Sequence, residues 1–108
     1  MIQARLFVSS EGRYMGYQVT GHAGWAEEGK DIVCSAVSAL SVICCNALES
    51  AAGTVPEARM DKGRLKVMLP KDSGHDAQVV LGVFRQGMTD LSQQYPDFIA
   101  YEEIDMEE

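Results

Sequence analysis

Apolar and polar side chains alternate with the period of a β-strand over the first twenty residues of the chain. The alternation breaks at residues 9–13, where serine, glycine and charged residues are typical of a turn, and then resumes. The apolar positions that carry the pattern are Ile2, Ala4, Leu6, Val8, Met15, Tyr17 and Val19. Residues 2–21 therefore predict a β-hairpin.

A helical period replaces this alternation after a polar, glycine-rich stretch at residues 21–29, which predicts a loop. Asp31 belongs to the residue types that cap helix N-termini, and Gly53 ends the helical pattern. The apolar residues between them recur at intervals of three and four: Val33, Ala36, Val37, Leu40, Ile43, Cys44, Ala47 and Leu48. This spacing predicts a long helix with a broad apolar face.

The second half of the chain predicts a further hairpin, a further helix and a final strand. Residues 55–60 and 64–69 flank a turn at 61–63, and residues 73–94 form an amphipathic pattern that Pro96 ends. Residues 98–104 predict a strand, and an acidic tail follows at 105–108. The order ββαββαβ indicates an α+β fold, a layered sandwich of a mixed sheet and two amphipathic helices. We expect a single domain over residues 1–108.

Charge and composition narrow the class of protein. The 108 residues are 46% hydrophobic and 23% charged, which is ordinary for a globular domain. Nine basic and sixteen acidic residues give a formal charge of −7 and no basic stripe, so we expect no nucleic-acid partner. An acidic surface either attracts a basic protein or simply keeps the domain soluble. Without a run approaching about 18 apolar residues or a signal-peptide pattern, we expect a cytoplasmic protein that does not bind membranes.

Three cysteines and two histidines limit the chemistry available to the chain. An odd cysteine count favours a reduced compartment over a disulfide framework. Cys44 and Cys45 lie in the middle of the first helix, where we expect small buried apolar side chains. The chain lacks CxxC and histidine-pair spacings, so we expect neither a metal site nor a cofactor.

His22 and Cys34 form the one candidate for catalysis. His22 lies at the predicted end of the second strand and Cys34 in the first turn of the helix, with eleven residues between them. A helix N-terminus favours a thiolate through its dipole and free N–H groups, and a nearby imidazole can accept the thiol proton. The same N–H groups suit the oxyanion of a tetrahedral intermediate. Purely structural roles for both residues are the alternative.

The segments around these two residues resemble the family of ribosomal-processing cysteine proteases, Prp. The resemblance rests on Gly21-His22-Ala23-Gly24 and on residues 29–41, GKDIVCSAVSALS, and it extends to residues 95–99, YPDFI. It implies an endopeptidase that removes a short N-terminal extension from the large-subunit ribosomal protein L-twenty-seven, after a pair of phenylalanines. It also implies a homodimer.

The resemblance implies roles for individual residues. Cys34 matches the catalytic nucleophile and His22 the general base and acid. Asp31 and Ser38 match further motif positions near this dyad. Asp31 either caps the catalytic helix or orients His22, and Ser38, one turn after Cys34, either lines the pocket or packs the helix.

The loop at residues 23–30 is a candidate lid over a bound peptide, with the alternative of a static surface loop. Gly21, Gly24, Trp25 and Gly29 are the candidate residues of this substrate loop. An apolar cleft that would accept phenylalanines has three candidate side chains, Trp25, Tyr17 and Met15.

Two other classes of function remain open at this point. The protein is alternatively a ribosome-associated binding module in which Cys34 and His22 are structural. It is alternatively another thiol acyl-transfer enzyme that uses the same Cys/His dyad, because such a dyad does not define its substrate.

Overall fold

The computed structural model describes residues 1–24 and 31–106, and within them the chain forms five strands and two helices. The elements are β1 (Ile2–Ser9), β2 (Tyr14–Thr20), α1 (Ile32–Ser50), β3 (Glu57–Asp61), β4 (Arg64–Met68), α2 (His75–Gln94) and β5 (Ile99–Met106). The sheet order is β3-β4-β2-β1-β5, in which β5 runs parallel to β1 and the other neighbours are antiparallel. The predicted α+β fold with a mixed sheet, in the order ββαββαβ, is confirmed.

Several predicted boundaries differ from the structure by one or two residues, and two of these differences have a clear cause. The last strand continues through Met106 because β5 pairs with β1 residue by residue as far as Ser9 and Met106, so Asp105 and Met106 belong to the sheet and not to a tail. Helix α2 begins at His75 and not at Ser73, since Gly74 is its N-cap. The Ser73 side chain is buried and accepts a hydrogen bond from the Arg13 guanidinium at 2.9 Å.

Tyr17, in the middle of the sheet, joins both helices to it. Its side chain is completely buried and stacks on Phe84 of α2, with ring centroids 3.9 Å apart. Its hydroxyl donates a hydrogen bond to the Ser41 carbonyl of α1 at 2.6 Å. The buried stripe of α1 consists of Val33, Val37, Ser41, Cys44 and Leu48. This contact fixes α1 over β2, because a buried hydroxyl is costly without a partner.

Helix α1 is more apolar than the sequence prediction allowed. Its 19 residues contain a window of mean hydropathy 1.8, so by length and composition alone α1 is a candidate membrane span. The expectation that no apolar run approaches that length is therefore wrong. The core helix of a globular protein passes the same test, and the buried stripe of α1 packs into the core of this fold.

The strand pairing brings three chain segments to one end of the sheet. Thr20, the last residue of β2, pairs with Gln3 near the start of β1 and with Arg64 at the start of β4. The segment after β2, the N-terminus and the turn between β3 and β4 therefore lie side by side. The candidate site is built at this end.

Candidate active site

A cleft of about 250 Å³ lies at the end of the sheet where β2 stops and β4 begins, and both Cys34 and His22 line it. Its apolar wall consists of Ile2, Val19, Val37, Val42, Met60 and Leu65, and its polar lining of Ser38, Ser41, Asp61 and Arg64. The fold thus brings the two candidate catalytic residues, from the start of α1 and the end of β2, into one partly apolar cleft. Such a cleft is the usual setting for a peptide or ligand site.

The Cys34 sulfur is held at the start of α1 in a half-buried position. The backbone amide of Ala23 donates a hydrogen bond to Sγ at 3.2 Å. An N–H group aimed at a sulfur stabilises negative charge there, as the helix N-terminus does. This bond also joins the segment that follows β2 directly to the first turn of α1.

The His22 side chain is exposed beside the cleft, next to a backbone that is tightly held. The amide of the preceding residue, Gly21, donates to the Gly63 carbonyl in the β3–β4 turn at 3.0 Å. Gly21 has φ +88°, and a Cβ on it would lie 2.5 Å from the Met1 carbonyl oxygen. Only glycine fits this position, which explains the first residue of the motif.

Asp31 caps the helix that carries Cys34. Its side chain is buried, and Oδ1 accepts a hydrogen bond from the Cys34 amide at 2.9 Å. Its carbonyl accepts from both the amide and the hydroxyl of Ser35. The structure therefore shows the capping arrangement, and a role in orienting His22 stays a prediction.

The other predicted site residues are distributed around this centre. Ser38 is exposed and lines the cleft one turn after Cys34. Gly24 is exposed with φ +71°, and a Cβ placed on it would have no atom of the described residues within 4 Å apart from its own chain neighbours. Trp25 and Gly29 lie outside the described residues, as does most of the candidate lid at residues 23–30.

Two residues suggested for the apolar wall of the cleft are elsewhere. Tyr17 is enclosed in the core against Phe84, and Met15 lines a second cleft, of about 670 Å³, with Arg13 and Leu69. The alternation of strand residues shows which side chains share a face but not which strands become neighbours. The sequence pattern therefore does not predict the contribution of the β3–β4 hairpin, from which Met60, 68% exposed, lines the cleft.

Within residues 1–24 and 31–106, no three His, Cys, Asp and Glu side chains are grouped to hold a metal ion. The expected absence of a metal or cofactor remains a prediction.

Comparison with known proteins identifies the family. The family model for cysteine protease Prp matches residues 1–100, which is nearly the whole chain. The chain belongs to the Prp family of cysteine proteases. The Bacillus subtilis (strain 168) ribosomal processing cysteine protease Prp is 31% identical over 90 residues, covering 82% of this chain and 80% of that protein.

Solved structures share the fold of this Prp-family chain. SMU.848 from Streptococcus mutans superposes with a TM-score of 0.86 at 34% identity, covering 98% of this chain and 96% of the other. The essential ribosomal processing protease Prp from S. aureus, in complex with a covalently linked product peptide, superposes with a TM-score of 0.91 at 24% identity. That match covers 96% of this chain and 100% of the other. The chain is thus a cysteine protease of the ribosomal-processing Prp family.

Replacing Asp31 separates its capping role from its charge. We expect Asp31→Ala to lower the free energy of unfolding by about 1 kcal/mol, because the Cys34 amide loses its acceptor. Asp31→Asn should keep most of that stability, since asparagine caps helices nearly as well as aspartate. Urea denaturation measures both variants. Equal losses in Asp31→Asn and Asp31→Ala would show that capping is not the contribution of this side chain.

The three cysteines should differ in their reaction with iodoacetamide at pH 8. Burial, and secondly the Cys45 thiol, raises the pKa of Cys44 to about 11, so well under about 1% of it is thiolate at that pH. Burial, and secondly the Glu49 charge, raises the pKa of Cys45. A raised pKa keeps the thiol protonated as the pH rises, so labelling of Cys44 should increase only towards pH 11.

We therefore expect Cys34 to be labelled first and Cys44 last in a time course followed by peptide mass spectrometry. Cys45 is the matched comparison because it is half-buried like Cys34 and lies in the same helix. Labelling of Cys45 as fast as Cys34 would contradict a special environment for Cys34.

Proposed function

We propose that this protein removes the N-terminal extension of ribosomal protein L-twenty-seven, cutting after a pair of phenylalanines. The observation that carries the proposal is the cleft in which the helix-start thiol of Cys34 and the imidazole of His22 lie together beside an apolar wall. Membership of the Prp family supports a protease over a ribosome-associated binding module. The substrate peptide in one S. aureus Prp structure and the covalently linked product peptide in another support attack by a covalent route.

Cys34 is the nucleophile of the proposed reaction and His22 its proton carrier. His22 takes the thiol proton, and the Cys34 sulfur forms a bond to the scissile carbonyl carbon while the C=O π pair moves to oxygen. Collapse of this intermediate breaks the C–N bond, and the leaving amine takes the proton from His22. His22 then deprotonates a water molecule, whose oxygen attacks the thioester carbon. The C–S bond breaks, the Cys34 thiolate is regenerated, and the acyl group is released as a carboxylic acid that loses its proton to solvent.

Backbone amides supply the donors for the developing oxyanion. The Cys34 amide is engaged by Asp31, so it does not fill this role in the arrangement seen here. The amides of Ile32 and Val33, the first two residues of α1, have no acceptor within the helix, as in any α-helix. The Ala23 amide already points at the sulfur from 3.2 Å, close to where the oxyanion forms.

The acidic character of the chain suits a basic substrate. The formal charge of −7 favours encounter with a ribosomal protein, whose sequence is basic. We further propose, from the family resemblance, that the enzyme acts in the cytoplasm without a cofactor, nucleic acid or membrane.

Cleavage of a peptide with the extended L-twenty-seven N-terminus tests the proposed reaction, with products identified by mass spectrometry. We expect the wild-type protein to cut after the phenylalanine pair, and Cys34→Ala and His22→Ala to lose at least about 100-fold in kcat. Cys45→Ala and His75→Ala are the matched controls, since Cys45 is also half-buried in α1 and His75 is also exposed.

The outcomes distinguish the candidate activities. If wild type leaves the peptide intact but hydrolyses a thioester through Cys34, the protein is another thiol acyl-transfer enzyme. Cleavage that survives in Cys34→Ala would remove the proposed nucleophile. Full activity of both control variants is required for either conclusion.

The proposed homodimer can be tested by sedimentation. Exposed apolar side chains on the helices, Ile32, Ile43, Val79 and Val83, are available for self-association and support the proposal. We expect the mass of a dimer at micromolar concentration in analytical ultracentrifugation. The mass of a single chain over the whole concentration range would contradict the proposed homodimer.

A further inference from the structure

The turn between β3 and β4 reaches the catalytic cleft from a distant part of the sequence. Asp61, Gly63 and Arg64 line the same cleft as Cys34 and His22. The Gly63 carbonyl accepts the hydrogen bond from the Gly21 amide, so the backbone immediately before His22 is tied to this turn. No motif around His22 or Cys34 includes the turn.

The α-carbon of Gly63 also faces the His22 ring. A Cβ placed on Gly63 would lie 3.8 Å from His22 Nε2, which is van der Waals distance. Apart from Gly63 itself and its two chain neighbours, no other atom of the described residues lies within 4 Å of that position. The missing side chain at Gly63 therefore leaves space directly beside the imidazole.

The Gly21 backbone is confined from the opposite side as well. The Met1 carbonyl oxygen is so close that any Cβ on Gly21 would clash with it. The next residue, Ile2, is fixed in turn because its amide donates a hydrogen bond to the Phe98 carbonyl at 2.9 Å. Gly21 is thus held between β1 and the β3–β4 turn. A shift of the β3–β4 turn would move the Gly63 carbonyl, which is one of the two contacts that fix the backbone next to His22.

The turn owes its shape to its backbone more than to its ion pair. Asp61 and Arg64 approach to 3.8 Å, but their side chains are 71% and 51% exposed, and such pairs contribute little. Gly63 has φ +76°, a conformation that glycine adopts freely and most other residues do not. The conformation of this one glycine therefore sets the direction of the carbonyl that binds Gly21.

We propose that Gly63 is a positioning residue for His22. Its carbonyl holds the backbone that leads into His22, and its lack of a side chain leaves the imidazole room to turn between the Cys34 thiol and the leaving amine. The inference rests on the proposed function of His22 as proton carrier. It makes the β3–β4 turn part of the catalytic apparatus although the turn itself carries no reacting group.

Substitutions at Gly63 test the inference, and Gly12 provides a matched control. Gly12 has φ +81° in the β1–β2 turn, and apart from its chain neighbours no atom in the described part of the chain lies within 4 Å of a Cβ placed on it. Alanine at either site introduces backbone strain, whereas asparagine tolerates this conformation better but still adds a side chain. Gly63→Asn therefore separates crowding of His22 from strain in the turn.

We expect Gly63→Ala and Gly63→Asn to lower kcat for the L-twenty-seven peptide by about 10-fold or more, with KM within about 2-fold. Iodoacetamide labelling of Cys34 at pH 7 should slow in both variants, because His22 no longer takes the thiol proton efficiently. Gly12→Ala and Gly12→Asn should match wild type in both assays. Thermal unfolding confirms that all four variants are folded.

Each outcome separates the inference from the function on which it rests. If Gly63→Asn matches Gly12→Asn while His22→Ala is inactive, the inference is wrong and the proposed function stands. Impairment of Gly63→Ala alone would mean that strain, and not the space beside His22, is responsible, which also overturns the inference. If wild type does not cleave the peptide but Gly63→Asn and His22→Ala both slow Cys34 labelling, the positioning role stands and the proposed substrate is wrong.

Discussion

The hydrogen bond from the Tyr17 hydroxyl to the Ser41 carbonyl fixes β2 against α1, the two elements that carry the proposed catalytic residues towards the cleft. Tyr17 is completely buried, so its hydroxyl has a strong requirement for this partner. Tyr17 lies on β2 five residues before His22, and Ser41 lies on α1 seven residues after Cys34. Fixing Tyr17 against Ser41 therefore sets the register of the strand and the helix, and with it the approach of their reactive ends.

Two backbone amides form hydrogen bonds that position the segment around His22, in addition to the contacts in the core. The Ala23 amide meets the Cys34 sulfur, and the Gly21 amide meets the Gly63 carbonyl. These contacts involve the residues on either side of His22, so the backbone is held before and after it while its side chain remains exposed. A fixed backbone with an exposed imidazole suits the proposed role, in which His22 exchanges a proton with two partners.

The sequence predicts the strands, the helices and the candidate pair His22 and Cys34, but it does not predict which other residues line the cleft. Alternation and helical spacing locate every element, and the Asp31 cap and the Cys34 position follow from local rules that operate within one turn of helix. The pairing of β2 with β4 is a long-range choice that no local period encodes, so the contributions of Met60 and Gly63 could not be read from it. The same limit makes Tyr17 a candidate for the cleft on sequence alone, since a strand pattern does not identify the face that the helices cover.

The positions of the three cysteines along α1 explain why we expect different chemistry from them. Cys34 lies at the helix start beside the cleft, where the helix dipole and the Ala23 amide stabilise negative charge on sulfur. Cys44 lies in the buried stripe, where burial raises the pKa of its thiol to about 11 and keeps it a neutral packing group. One helix can thus supply an apolar face to the core and place the thiol of the proposed nucleophile in the cleft, because Cys34 lies in its first turn and Cys44 lies further along the buried stripe.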